Sequence, residues 1–157
     1  MPLSTIHSIA LLGLEAIHVA VEVDVTKSDR PSLVIVGLAD AVVKESKDRV
    51  LTAIKNSGYQ TGLISSVVNL APGDLKKEGA LYDLPIALGL LQSLGLISDN
   101  KFYEQFLIVG ELGLSGETRP IQGALAVALL AKSLGKKGIL LPALNAKEAA
   151  TVPGLDI

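Results

Sequence analysis

The chain has 157 residues, nearly half of them hydrophobic, with only two Phe and three Tyr. Fourteen Lys and Arg against sixteen Asp and Glu leave a net charge of −2, which argues against a wholly basic nucleic-acid binder while allowing a local basic patch. The absence of cysteine excludes disulfides and thiolate zinc sites, and the length predicts one domain, residues 1–157, with an aliphatic core.

The N-terminal stretch MPLSTIHSIALLGLEAI lacks the positive region of a signal peptide, and Glu15 interrupts its apolar run. No apolar stretch reaches the ~20 residues that span a bilayer, so a soluble domain is expected, and the lack of cysteine fits a cytoplasmic location. SIALLGL reads as a strand and IHVAVEVDV as its partner. Val19, Val21, Val23 and Val25 share one face; His18, Glu22 and Asp24 share the other. After the turn KSDRP, the unbroken SLVIVGL suggests a strand covered on both faces.

Asp40 is placed to cap a helix through AVVKESKDRVLTAIKNS, stopped by Gly58, with Val43, Val50, Ala53 and Ile54 as its apolar stripe. Lys44, Lys47, Arg49 and Lys55 decorate the rest, interleaved with Glu45 and Asp48. A Lys44–Asp48 pairing at i,i+4 and a phosphate-facing patch both fit that pattern. A strand, SSVVNLAP, runs into KKEGALYDLPIALGLL, a loop-to-helix junction in which Asp83 can cap a helix filled by Leu84, Leu88 and Leu91, with Pro85 in its first turn. An ordinary solvated loop or an interaction edge suits Lys76 and Lys77.

A polar loop, SDNKFYEQ, is followed by FLIVGELGLSGETRPI, read as two short strands around a glycine turn, where Arg119 can pair with Glu117 or Glu111 or face a partner. GALAVALLAKSLG forms a helix ending at Gly135 and GILLPA a strand. NAKEAATV is a short helix capped by Asn145, and VPGLDI begins another strand, which suggests a piece of a longer protein.

Little in this inventory is chemically armed. No segment matches a phosphate-binding P-loop; SLGKKG puts Lys137 in place of the required hydroxyl, and Gly110, Gly113 and Gly116 do not open a helix. His18, Glu22 and Asp24 are read as a solvated face and not as a metal site, and the two histidines, on expected outer-edge strands, mark no general base.

Blocks such as VGLADAVVKES, NLAPGDLKKEGALYDLPIA, GELGLSGETRP and LPALNAKEAATV, in order over nearly the whole chain, resemble the N-terminal domain of the YifB/ComM family, also described as Mg chelatase-like or ChlI-type. The resemblance implies an α+β fold with a mixed sheet packed with helices, similar to the Lon protease domain and the second domain of ribosomal protein S5. It also implies a parent chain with an AAA+ module that binds ATP and Mg2+, forms a homo-oligomeric ring and acts on DNA, in branch migration during natural transformation for ComM members. That module is absent here, and no cofactor is expected for this domain. Its expected partners are the AAA+ module, neighbouring subunits and DNA, with no membrane. Genuine Mg chelatase membership and a residual peptidase are the other readings.

Lon-like peptidases carry a serine after a Lys-Asp-Gly-Pro loop and a lysine in a Gly-Gly-Leu-Lys stretch. On that pattern KKEGALYD puts Leu81 at the nucleophile and PIQGALAV puts Leu125 at the lysine. Neither can attack a carbonyl or take a proton. Lys132 does not substitute, since seven helical residues displace it by about 10.5 Å. Tyr82 is the nearest hydroxyl. The resemblance therefore implies a domain that binds without cutting, with Lys44, Lys47, Arg49, Lys76, Lys77 and Arg119 as candidate DNA or partner contacts.

Overall fold

A computed structural model describes residues 3–98 and 101–157. Asp99 and Asn100 of the polar loop, with Met1 and Pro2, lie outside the described residues.

Strands β1 (Ser4–Leu12), β2 (Glu15–Lys27), β3 (Ser32–Val36) and β4 (Ile64–Ala71) form one mixed sheet in the order β1-β2-β4-β3. β1 and β2 make an antiparallel hairpin, β4 runs antiparallel to β2, and β3 pairs with β4 in parallel. The alternation in β2 sends Val19, Val21, Val23 and Val25 to the interior, all essentially inaccessible. Burying an aliphatic side chain of this kind stabilises the fold by about 1.5–3 kcal/mol. β2 is an internal strand and not an outer edge, because β4 takes its free side.

Helices α1 (Ala41–Lys44) and α2 (Ser46–Asn56) cross from β3 to β4. Asp40 caps α1 as its spacing predicts, Oδ1 accepting from the Val43 amide at 2.7 Å. The single expected helix is broken at Glu45, yet Val43, Val50, Ala53 and Ile54 are all buried. The anticipated Lys44–Asp48 pair is absent among the described residues; Glu45 pairs with Arg49 instead, at 3.5 Å. Double coverage of β3 is also corrected. Leu33 and Ile35 face the core, but Val34 (49% exposed), Val36 (43%) and the adjacent Val67 of β4 (48%) lie on the open face of the sheet.

Helix α3 (Asp83–Ser93) packs on β1 and β2 and is buried nearly all round, with Ile86, Ala87, Leu90 and Leu91 inside. Leu84 and Leu88, expected in the core, are only half-buried. Its closest approach to the sheet is at Gly89, where any Cβ would meet the Val23 side chain.

The remaining third is built from smaller pieces. A 3-10 turn (Phe102–Gln105) leads into β5 (Phe106–Ile108), which lies beside β1 and pairs in parallel with β8 (Gly138–Leu140). β6 (Glu111–Leu112) and β7 (Thr118–Arg119) form a two-residue hairpin, so the segment read as two strands holds three. α4 (Ala124–Ser133) packs against β2, β8 and α5 (Ala146–Ala149). Asn145 does not cap α5 with its side chain. Its amide instead accepts from the Ile121 N–H and donates to the Ile121 carbonyl, tying the 120s loop down. The final segment bridges β8 in parallel at Gly138 and Asp156, in keeping with the strand expected there. Among the described residues no helix is long and apolar enough to cross a membrane.

Candidate functional site

The loop between β4 and α3 is held against the β3–α1 turn. Ala39 and Lys77 form a parallel bridge, with Asp40 N donating to the Lys77 carbonyl and Lys77 N to that of Leu38. The Lys77 side chain then turns inward and is fully buried. Its ammonium donates to the Gly37 carbonyl at 2.7 Å and to the Pro72 carbonyl. Burial lowers its pKa from the ordinary lysine value, with Asp74 pulling weakly the other way. Lys77 is therefore not a surface contact, contrary to its place among the candidate contacts. Gly37 makes this possible. It adopts φ +112°, and a Cβ there would run into the Leu70 carbonyl oxygen.

Asp83 is a second buried charge in the junction, and it does not cap α3 with its side chain. Arg49 reaches it from α2, Nε to Oδ2 at 2.7 Å and Nη2 to Oδ1 at 3.1 Å. Ser46 Oγ also donates to Oδ1, and the Leu112 amide donates to Oδ2 at 3.1 Å. The carboxylate thus clamps α2, α3 and β6 together. The hydrogen bond to Asp83 raises the pKa of Arg49, outweighing partial burial. Arg49 too is removed from the contact set, its fork being committed to a bidentate pair.

Of the other candidates, Lys44, Lys47 and Lys76 are exposed on α1, α2 and the junction loop. Arg119 is exposed on β7 and bonds Glu117 at 3.2 Å.

A cleft of about 450 Å³ opens beside the junction. Residues 78–81 form one wall, Asp40 and Val42 at the start of α1 another, and Leu11, Glu111 and residues 120–122 close it. Leu81, 8% exposed, lines it; Leu125, 42% exposed, is not among the lining residues, and its backbone N–H donates to Glu148 Oε2 at 2.7 Å. Lys132 is occupied elsewhere, donating to the Pro153 carbonyl at 3.1 Å. Tyr82 is inaccessible, its hydroxyl has no hydrogen-bond partner among the described residues, and burial raises its pKa, with Asp40 and Glu78 adding to the rise. A phenol held neutral with no base bonded to it is not an activated nucleophile.

Sequence spacing missed a second pairing besides Arg49–Asp83. His7 Nδ1 and His18 Nε2 lie 2.8 Å apart across β1 and β2, with stacked rings. His18 is therefore half-buried against an imidazole instead of joining Glu22 and Asp24 on a solvated face, while Glu22 accepts from Asn69. No cluster of three or more potential ligands occurs among the described residues.

The fold and site define a mixed α+β domain whose loop-to-helix junction is stapled by buried charges beside an open cleft. Residues 21–145 match the family model described as subunit ChlI of Mg-chelatase. The chain belongs to this ChlI-type family. It is 42% identical over 154 residues to the YifB protein of Escherichia coli (strain K12), covering 98% of this chain and 30% of the relative. It is 38% identical over 152 residues to the competence protein ComM of Haemophilus influenzae, covering 97% of this chain and 29% of the relative. A weaker similarity, 27% over 135 residues, links it to the Lon protease of Mycoplasma mycoides, over 82% of this chain and 17% of that protein. The chain thus spans less than a third of the length of the YifB and ComM proteins it matches.

Proposed function

We propose that this chain is a non-catalytic accessory domain of a cytoplasmic YifB/ComM-like AAA+ ATPase, serving assembly and partner contact while ATP and Mg2+ act in the remainder of the parent ring. The observation that carries this reading is the cleft wall, where Leu81 stands at the nucleophile position implied by the Lon resemblance and the adjacent Tyr82 hydroxyl has no base. Leu125 at the lysine position leaves the second half of a serine–lysine pair unfilled as well. The name of the Haemophilus relative, a competence protein, supports a role in competence; contact with DNA in branch migration is what the family resemblance implies for the parent ring.

Of the six candidate contacts, Lys44, Lys47, Lys76 and Arg119 remain open to DNA, since Lys77 and Arg49 are occupied. Titrating labelled single-stranded and branched DNA at low salt tests that part. Binding should weaken steeply as salt rises and should fall in a Lys44→Ala/Lys47→Ala variant. Absence of binding at low salt would confine the role to assembly. Incubation with unfolded casein should leave the casein intact. Cleavage that disappears in Tyr82→Phe would overturn the non-catalytic reading.

A further inference from the structure

We propose that the exposed face of α4 pairs with the same face of a second copy of this chain, the two helices running antiparallel about a two-fold axis.

Helix α4 lacks a wet side over its first two turns. From Ala124 to Ala131 its sequence, ALAVALLA, carries no polar side chain. Ala124, Val127, Ala128 and Ala131 are buried, while Leu125 and Leu129, one turn apart, lie open to solvent. A helix apolar all round belongs in an interior, so this one is short of a cover. The tip of the β1–β2 hairpin extends the bare surface. Leu11 packs so closely on the start of α4 that a Cβ at Gly123 would meet its methyls. Leu14, 96% exposed, shares a groove of about 240 Å³ with Ala126, Leu129 and Leu130, and Glu15 is the one charged residue that lines it. At roughly 30 Å² per exposed aliphatic carbon, Leu11, Leu14, Leu125 and Leu129 leave on the order of 300 Å² of apolar surface in water. Each side of a standard homodimer interface contributes about 500 Å² of apolar area, so this patch supplies roughly half of one.

Charge selects a second copy as the cover. A two-fold axis lays like on like, which suits a face whose opposite charges sit at opposite ends. Lys132 stands exposed in the last turn of α4. At the other end is exposed Glu148, whose Oε2 accepts from the Leu125 amide at 2.7 Å. Neither is in an ion pair among the described residues. Lys132 gives one N–H to the Pro153 carbonyl and keeps two. An axis at the level of Val127 sets Leu125 of one copy against Leu129 of the other. It also brings each Lys132 level with position 122 of the other copy, at the helix end held by Glu148, and opposes the two helix dipoles. The bare valines of the sheet, Val34, Val36 and Val67, offer no such match, being flanked on β2 by Glu22 and Asp24, two charges of one sign.

This inference deepens the assembly part of the accessory-domain reading, on which it rests, by naming the partner and the surface. Sedimentation equilibrium of the 157-residue chain, from about 1 μM to about 1 mM, tests it. The mass should rise from one chain to two and stop there, because an isologous contact closes. Leu125→Glu/Leu129→Glu, at positions already in water, should weaken pairing about tenfold or more while the urea midpoint stays at the wild-type value. Lys132→Glu should weaken it too, and adding Glu148→Lys should restore it, since the swap keeps opposite charges at opposite ends. The chain has no cysteine, so Leu125→Cys mixed with Leu129→Cys should cross-link under an oxidant faster than either variant alone. A chain that stays monomeric throughout, a mass that climbs past two, or a dimer indifferent to Leu125→Glu/Leu129→Glu would overturn the proposal. Cross-linking fastest within a single variant would overturn the antiparallel order. Failure to pair leaves the non-catalytic reading standing, because the casein assay decides that one separately.

Discussion

The junction buries two opposite charges by two different means. Asp83 has an ion-pair partner and a full set of donors: Arg49, Ser46 and the Leu112 amide. Among the described residues Lys77 has no carboxylate bonded to it and is held by the Gly37 and Pro72 carbonyls. Their electrostatic signatures differ accordingly. Pairing raises the pKa of Arg49, while burial lowers that of Lys77. A paired buried charge ties three elements to one another; a charge held only by peptide dipoles ties a loop to one turn and stays under strain to lose its proton.

The largest effect expected from breaking this contrast is at Asp83. Asp83→Ala leaves Arg49 partly buried without its partner and the Leu112 amide without an acceptor. It should cost about 3–5 kcal/mol, read from urea denaturation. Adding Arg49→Met should recover part of that loss, because the unpaired cation goes too. A double variant no more stable than the single one would show that the pair is not the source of the cost.

Lys77→Met should cost less, about 1–2 kcal/mol, since it strands two carbonyls but also removes a desolvated ammonium. The pH dependence sharpens the assignment. With the folded pKa below the unfolded value near 10.5, the unfolded chain binds more protons between the two. The stability penalty is complete below the folded pKa and is relieved as pH rises toward 10.5. Wild type should gain stability over that alkaline window relative to Lys77→Met, and parallel curves would place the ammonium in water.

Much of this fold was legible in the residues. The Val19–Val25 alternation, the Asp40 cap and the α2 stripe all follow from period and capping chemistry, because each depends on neighbours in sequence. The two junction charges were not. Lys77 lies between Lys76 and Glu78, and nothing in that run separates the lysine that turns inward from the one that stays in water. Asp83 has the spacing of a cap, but its donors come from positions 46, 49 and 112, which only tertiary structure assembles. The open face of β3 was missed for the same reason, since a Leu-Val-Ile-Val run reads alike at an edge and in the middle of a sheet. The cleft residues Glu78 and Glu111 stand 33 positions apart, with no spacing that announces them.

The His7–His18 pair shows the same long-range logic with the smallest expected effect. At 2.8 Å one ring nitrogen must donate and the other accept, so the contact requires at least one neutral imidazole. Burial and Lys136 lower both pKa values below 6.5; His18 lowers that of His7 further, and Glu104 opposes this at His7. Between those lowered values and 6.5 the unfolded chain binds more protons than the folded one. Stability should therefore fall as pH drops through 6.5 and level off once both folded imidazoles are charged. His7→Gln removes one titrating ring and the repulsion between two imidazoliums, so its loss of urea stability from pH 8 to pH 5 should be shallower than that of wild type. Identical slopes would mean that His7 binds its proton as readily in the folded chain as in the unfolded one and does not repel a charged His18.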